Sequence, residues 1–84
     1  MENKILVEVL VPEISSSFSV FLPINKKIGN LIQLMIQGIK DLTDNNYDGN
    51  ELTALYNRFT GLKYGVNDSL LQTDIRNGSV LILL

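Results

Sequence analysis

The densest run of oxygen-bearing side chains in this sequence is Asp44, Asn46 and Asp48 followed by Gly49. That spacing matches the opening of a calcium-binding loop, whose oxygens sit at alternate positions because the loop wraps the ion. The twelfth position, where a bidentate glutamate would complete the shell, is Leu55, so the segment reads as a solvated loop and no metal is expected. Glu8, Glu13, Glu51 and Asp74 form no close sequence pair suited to acid–base work. Cysteine and histidine are both absent, which excludes disulfides, thiolate or imidazole zinc sites and the usual nucleophile–base pairs. There is no phosphate loop, nucleotide fingerprint or serine nucleophile elbow. The expectation is a protein that is not an enzyme, with no catalytic residues and no cofactor.

Charge narrows the partners in the same direction. Seven Lys and Arg stand against nine Asp and Glu, a net charge of -2, and no basic run exceeds Lys26-Lys27. Nucleic acid binding needs clustered cations and is not expected. Arg58 and Lys63 could rim a binding face, but read more simply as a solvated pair. Met1-Glu2-Asn3-Lys4 opens no secretory leader, and no apolar stretch is long enough to span a bilayer. A cytoplasmic protein without direct membrane insertion is expected, so the triplets Asn67-Asp68-Ser69 and Asn77-Gly78-Ser79 carry no weight as glycosylation sites.

What positions these residues is one small fold. A chain of 84 residues, 45% apolar and 19% charged, suits a single folded domain covering residues 1–84. Ile5 to Val11 is a β-branched and leucine run closed by Pro12, hence a strand. After Ser15-Ser16-Ser17, the alternation of Phe18, Val20 and Leu22 up to Pro23 gives a second strand and an N-terminal hairpin. The period then changes. Ile28, Leu31, Ile32, Met35, Ile39 and Leu42 recur at spacings of three and four, predicting a helix from Lys27 to Thr43. Gly29 and Gly38 each cost such a helix roughly 1 kcal/mol relative to alanine, which close approach to a sheet would explain. Leu34 and Ile36 widen the stripe and read as a broad buried face. Thr53 to Phe59 suggests a third strand, Leu62-Lys63-Tyr64 a brief pairing, and Val80 to Leu84 a last strand after the turn Asn77-Gly78.

The predicted class is α+β, a mixed sheet of four to five strands with one helix packed on one face, in ββαββ order with a short extra strand. The helix is the one connection long enough to cross over, so the apolar first and last strands should lie parallel at the centre.

This order, together with Leu22-Pro23 ahead of Ile28-Gly29-Asn30-Leu31-Ile32 and the ending Leu70, Ile75, Asn77-Gly78, Leu81 and Leu83, resembles the ubiquitin-like β-grasp family. In that pattern Leu70 and Ile75 would plug the end of the core, and Asn-Gly would make the left-handed turn that launches the last strand. Within the family the sequence is similar to the YukD-like (EsaB-like) proteins of Gram-positive type VII secretion systems, and to the ubiquitin-like domain attached to the membrane channel component of those systems. The resemblance implies an accessory or regulatory protein that docks onto a secretion-system component. Conjugation and sulfur-carrier chemistry in the family need a flexible Gly-Gly tail, whereas this sequence stops at Leu81-Ile82-Leu83-Leu84, so neither role is expected.

Parity locates a candidate surface. Ile5, Val7, Val9 and Val11 should face the helix, leaving Leu6 and Leu10 on the open face beside Lys4 and Glu8. Phe18, Val20 and Leu22 should point inward and Phe21 outward. By the family pattern Leu81 and Leu83 point inward, which puts Val80, Ile82 and Leu84 outward. A contiguous apolar patch of Leu6, Leu10, Phe21, Val80, Ile82 and Leu84 is therefore expected to bind a protein partner. Self-association into a homodimer, or a structural role in a larger complex, is the alternative.

Overall fold

The computed structural model describes residues 3–84; Met1 and Glu2, read above with Asn3 and Lys4, lie outside the described residues. Strand β1 (Lys4–Val11) runs into a single 3-10 turn (Pro12–Ile14), and β2 (Ser16–Pro23) returns beside it. Pro12 starts that turn with the one residue that needs no N–H there, and Ser15 reverses the chain at φ 51° while donating its N–H to the Pro12 carbonyl. Helix α1 (Ile28–Leu42) crosses over, followed by β3 (Leu55–Asn57), a second 3-10 turn (Leu70–Gln72) and β4 (Val80–Leu83). The sheet order is β2-β1-β4-β3, with β1 and β4 parallel at the centre and both outer pairs antiparallel. This is the predicted arrangement, and Leu62-Lys63-Tyr64 pairs briefly through a bridge between Tyr56 and Lys63.

The core lies between the sheet and α1. Val7, Val9 and Val11 of β1, Leu22 of β2, and Leu81 and Leu83 of β4 meet Ile28, Leu31, Ile32, Met35 and Ile39 of the helix, all buried. Leu70 and Ile75 close its end and are 1% and 0% exposed, as the plug reading required. Gly78 adopts φ 87°, and its N–H donates to the Leu6 carbonyl, which seats the last turn against β1.

The helix begins without a side-chain cap. Lys27 occupies the N-cap and makes no capping bond. Its place is taken by the segment before Leu70, whose Asp68 and Val66 carbonyls accept the N–H groups of Ile28 and Gly29 at 2.8 and 2.9 Å. At the far end Asp44 and Asn45 take left-handed conformations, φ 58° and 64°, and the Asn45 N–H reaches back to the Lys40 carbonyl.

Four sequence expectations change. The two helix glycines do not approach the sheet. A Cβ on Gly29 would meet the Val66 carbonyl at 3.2 Å, a loop contact, while one on Gly38 would meet nothing within 4 Å. Leu34 is 53% exposed and only Ile36 joins the core, because the helix flank carrying Leu34 overhangs the edge strand β2. Strand β3 stops at Asn57, whose Oδ1 accepts the N–H groups of Phe59 and Thr60, so Phe59 turns into solvent at 82% exposure. The loop after the helix is not simply solvated: Asp44, Asn46 and Asp48 are exposed, but Tyr47 between them is buried.

The open space around Gly38 gives a first test. Gly38→Ala adds a methyl group without a clash and removes the entropy cost of glycine, so it is expected to raise the unfolding free energy by about 0.5–1 kcal/mol. The urea midpoint should rise with an unchanged slope.

Candidate protein-binding surface

The helix covers one face of the sheet and leaves the other bare. Its residues follow from the register. The bond from the Ile24 N–H to the Asn3 carbonyl continues the pairing Lys4↔Pro23 by one step, so Asn3↔Ile24 is a hydrogen-bonded pair. Pairs alternate in an antiparallel ladder, so Leu6↔Phe21 is a non-hydrogen-bonded pair, the type that brings side chains closest. Leu6 and Phe21 thus sit together at one end of the face, 41% and 59% exposed.

The next row is Ser19, Glu8 and Val80, and the Arg58 N–H, bonded to the Val80 carbonyl, closes it. The third row is Ser17, Leu10, Ile82 and Tyr56. Leu84 follows Ile82 on the same parity, exchanges backbone bonds with Ala54 at 2.8 and 3.0 Å, and is 62% exposed. Leu10, Val80, Ile82 and Tyr56 are half-buried by their neighbours.

Every residue assigned to the open face by parity is on it, but the patch is interrupted along β1. Exposed Glu8 stands between Leu6 and Leu10, which are about 13 Å apart along the strand at ~3.3 Å per residue. The face holds two apolar clusters, Leu6 with Phe21 and Leu10 with Ile82, joined through Val80. Tyr56 belongs to the second cluster and was missed. Its signal was present, since alternation about buried Leu55 puts Tyr56 outward.

Two other features border this face. Between β2 and α1 runs an apolar groove of about 170 Å³, walled by Val20 and Leu22 on one side and by Leu34, Gly38 and Leu42 on the other. At the opposite margin the Tyr64 hydroxyl donates to Asp74 at 2.7 Å, and the Asn57 amide donates to both, at 3.2 and 3.3 Å. Of the four carboxylates considered for acid–base work, Asp74 is spent on this tie. Glu8 lies on the open face, Glu13 in the first 3-10 turn and Glu51 in the turn before β3.

Burial, and then the bond to Asp74, push the Tyr64 hydroxyl up from 10.0 to about 12. The phenol therefore stays a proton donor at neutral pH and ties the end of β3 to the closing segment. A folded value above the unfolded one favours the protonated phenol in the folded state. Its contribution is complete below pH 10 and is lost as pH rises toward 12. Tyr64→Phe is expected to be less stable than the parent at pH 8, with the gap closing between pH 10 and 12; paired thermal melts across that range read it directly.

No protein-family model and no curated protein matches this chain. Solved structures do. It is similar to the EccD5 ubiquitin-like domain from Mycobacterium xenopi, at TM-score 0.77 and 17% identity over 96% of this chain and 92% of that one. It is also similar to the ubiquitin-like domain of the Mycobacterium tuberculosis type VII secretion system protein ECCD1, at TM-score 0.75 and 14% identity over 96% and 97%. A ubiquitin-like domain from Arabidopsis thaliana aligns at TM-score 0.72 and 18% identity over 98% and 77%. With a helix on one face of a β2-β1-β4-β3 sheet and these structural relatives, the chain has the ubiquitin-like β-grasp fold.

Proposed function

We propose that this chain is a cytoplasmic ubiquitin-like adaptor or regulatory accessory protein that binds a protein partner through its open sheet face and catalyses no reaction. The observation that carries this reading is the bare face itself, with Leu6, Leu10, Phe21, Val80 and Ile82 beside Tyr56 and no element of the described chain laid over them. Apolar groups gathered on one side of a small domain mark an interface, and exposed Glu8 between the two clusters gives this one a polar anchor within the face.

The partner we propose is a component of a type VII secretion apparatus. Support comes from the likeness to the ECCD1 and EccD5 domains. The test is capture from the host with tagged wild type and with the double variant Phe21→Asp, Ile82→Asp. Inner-membrane secretion components should be enriched with wild type and lost with the variant. Equal capture by a folded variant would refute the face, and a wild type that enriches other proteins but no secretion component would refute the partner.

A further inference from the structure

We infer that Asn77 is a self-modification site held closed by β1: its side-chain amide becomes a carboxylate through ring closure onto the Gly78 nitrogen, and only in chains whose Asn77-Gly78 turn has lifted off Leu6. The inference is independent of the open-face reading.

Asn77 is the one asparagine followed by glycine in this sequence. Glycine matters because the next backbone nitrogen is the nucleophile, and without a Cβ beside it that nitrogen is open to approach and its backbone is free to swing. A base removes the Gly78 amide proton, the nitrogen attacks Cγ of Asn77, and the Cγ–Nδ2 bond breaks to release ammonia. Water then opens the cyclic imide at either carbonyl, leaving aspartate or isoaspartate in place of Asn77. One water is consumed and one ammonia released, with no change of oxidation state.

The fold engages both reacting groups, and through the same residue. The Gly78 N–H donates to the Leu6 carbonyl at 2.8 Å, and Oδ1 of Asn77 accepts the Leu6 N–H at 2.7 Å. Two residues along β1, the Glu8 N–H donates to the Ser79 carbonyl at 3.0 Å, the ordinary bond of the parallel ladder. One repeat earlier that ladder would bring the Leu6 N–H to the backbone carbonyl of Asn77, and the side-chain oxygen takes its place. The turn is closed by the Ser79 N–H on the Arg76 carbonyl at 3.0 Å and by the Arg76 N–H on the Ser79 hydroxyl at 2.9 Å. Asn77 and Gly78 are themselves exposed, so base and water reach them. The hold is therefore hydrogen bonding rather than burial: the amide proton is directed at Leu6, and Cγ is fixed by the bond its oxygen makes. Attack requires both to be released together, which is a local opening of this end of the sheet.

The two products differ in how much of the closure they leave. Aspartate keeps an oxygen within reach of the Leu6 N–H and adds a negative charge to the hollow that Asn77 shares with Leu6, Glu8 and Ser19. Isoaspartate routes the main chain through Cγ, so the former side-chain oxygen and the Gly78 N–H belong to one peptide. A trans peptide points its C=O and N–H in opposite directions and cannot serve both Leu6 bonds. That product does not close the turn again.

Wild type held in mildly alkaline buffer, with and without denaturing guanidinium chloride, is followed by peptide mass spectrometry. It should gain about 1 Da at Asn77, and do so at least about ten-fold more slowly in buffer than in denaturant. Asn77→Gln, whose longer side chain has to close a larger ring, should gain none at this position in denaturant over the same period. At sub-denaturing guanidinium concentrations the rate of Asn77 conversion should rise in proportion to hydrogen exchange at the Gly78 N–H. An Asn77 that converts equally fast folded and unfolded overturns the inference. So does conversion at other asparagines with Asn77 intact, or a Gly78 amide that exchanges faster across the series while conversion stays constant.

Discussion

Leu70→Ala is expected to lower the unfolding free energy by about 3–5 kcal/mol, while Leu71→Ala changes it by less than about 0.5 kcal/mol. The residues are adjacent in sequence and chemically identical, but Leu70 is 1% exposed and Leu71 is 56% exposed. Leu70 also stands where two parts of the chain are tied. Its N–H donates to the Lys26 carbonyl at 3.0 Å, and the neighbouring Ser69 bridges Lys27 just ahead of the helix. Truncation leaves a cavity against the segment whose carbonyls cap the start of α1, a place where collapse would disturb the helix, so the cost belongs in the upper part of the range for buried leucine. Domains of this size hold about 5–15 kcal/mol in total, and the variant should be marginal. Urea unfolding followed by circular dichroism separates the two leucines. Comparable losses for both would mean that Leu71 is also buried and that the ending is packed differently.

The burial of Leu70 was readable through the likeness to the ubiquitin-like family. Leu70, Ile75, the Asn77-Gly78 turn and the alternation of Leu81 with Leu83 match the ending of that family, whereas a lone leucine in a connecting stretch has no period of its own. The two faces of β1 were equally legible, since a period of two leaves no freedom once Val7, Val9 and Val11 are assigned inward. Long-range register was not. That Val80 stands beside Glu8 and Ile82 beside Leu10 depends on how far β4 slides along β1, and neither strand encodes that distance alone. Parity alone put Glu8 between Leu6 and Leu10, but which residues of β4 flank each of them emerged only from the paired strands. Tyr47 shows another limit. A lone aromatic in a polar loop has no period, and what buries it is the fold around it. Leu34 fails for a related reason: whether a helix flank is covered depends on how far the sheet extends beneath it, and here the sheet ends at β2.

Ile82→Asp is expected to weaken partner binding by at least about 30-fold, roughly 2 kcal/mol, while Phe21→Asp weakens it only several-fold. Hot spots concentrate where a side chain is flanked on all sides and water is excluded on docking. Ile82 has that setting: it lies on the inner strand β4 between Leu10 on β1 and Tyr56 on β3, with Val80 and Leu84 before and after it on the same parity. Phe21 is more exposed, but it lies on the edge strand with Leu6 as its cross-strand neighbour, on the far side of the row that contains Glu8. Exposure alone would rank the two in the opposite order. Aspartate on a strand costs about 1 kcal/mol, and Ile82 turns away from the core, so both variants should remain folded and the comparison can be made on matched far-ultraviolet spectra. Titration of the captured partner against each variant gives the two affinities. A larger loss for Phe21→Asp would move the centre of recognition to the β2 edge, where the same residue borders the groove beneath α1.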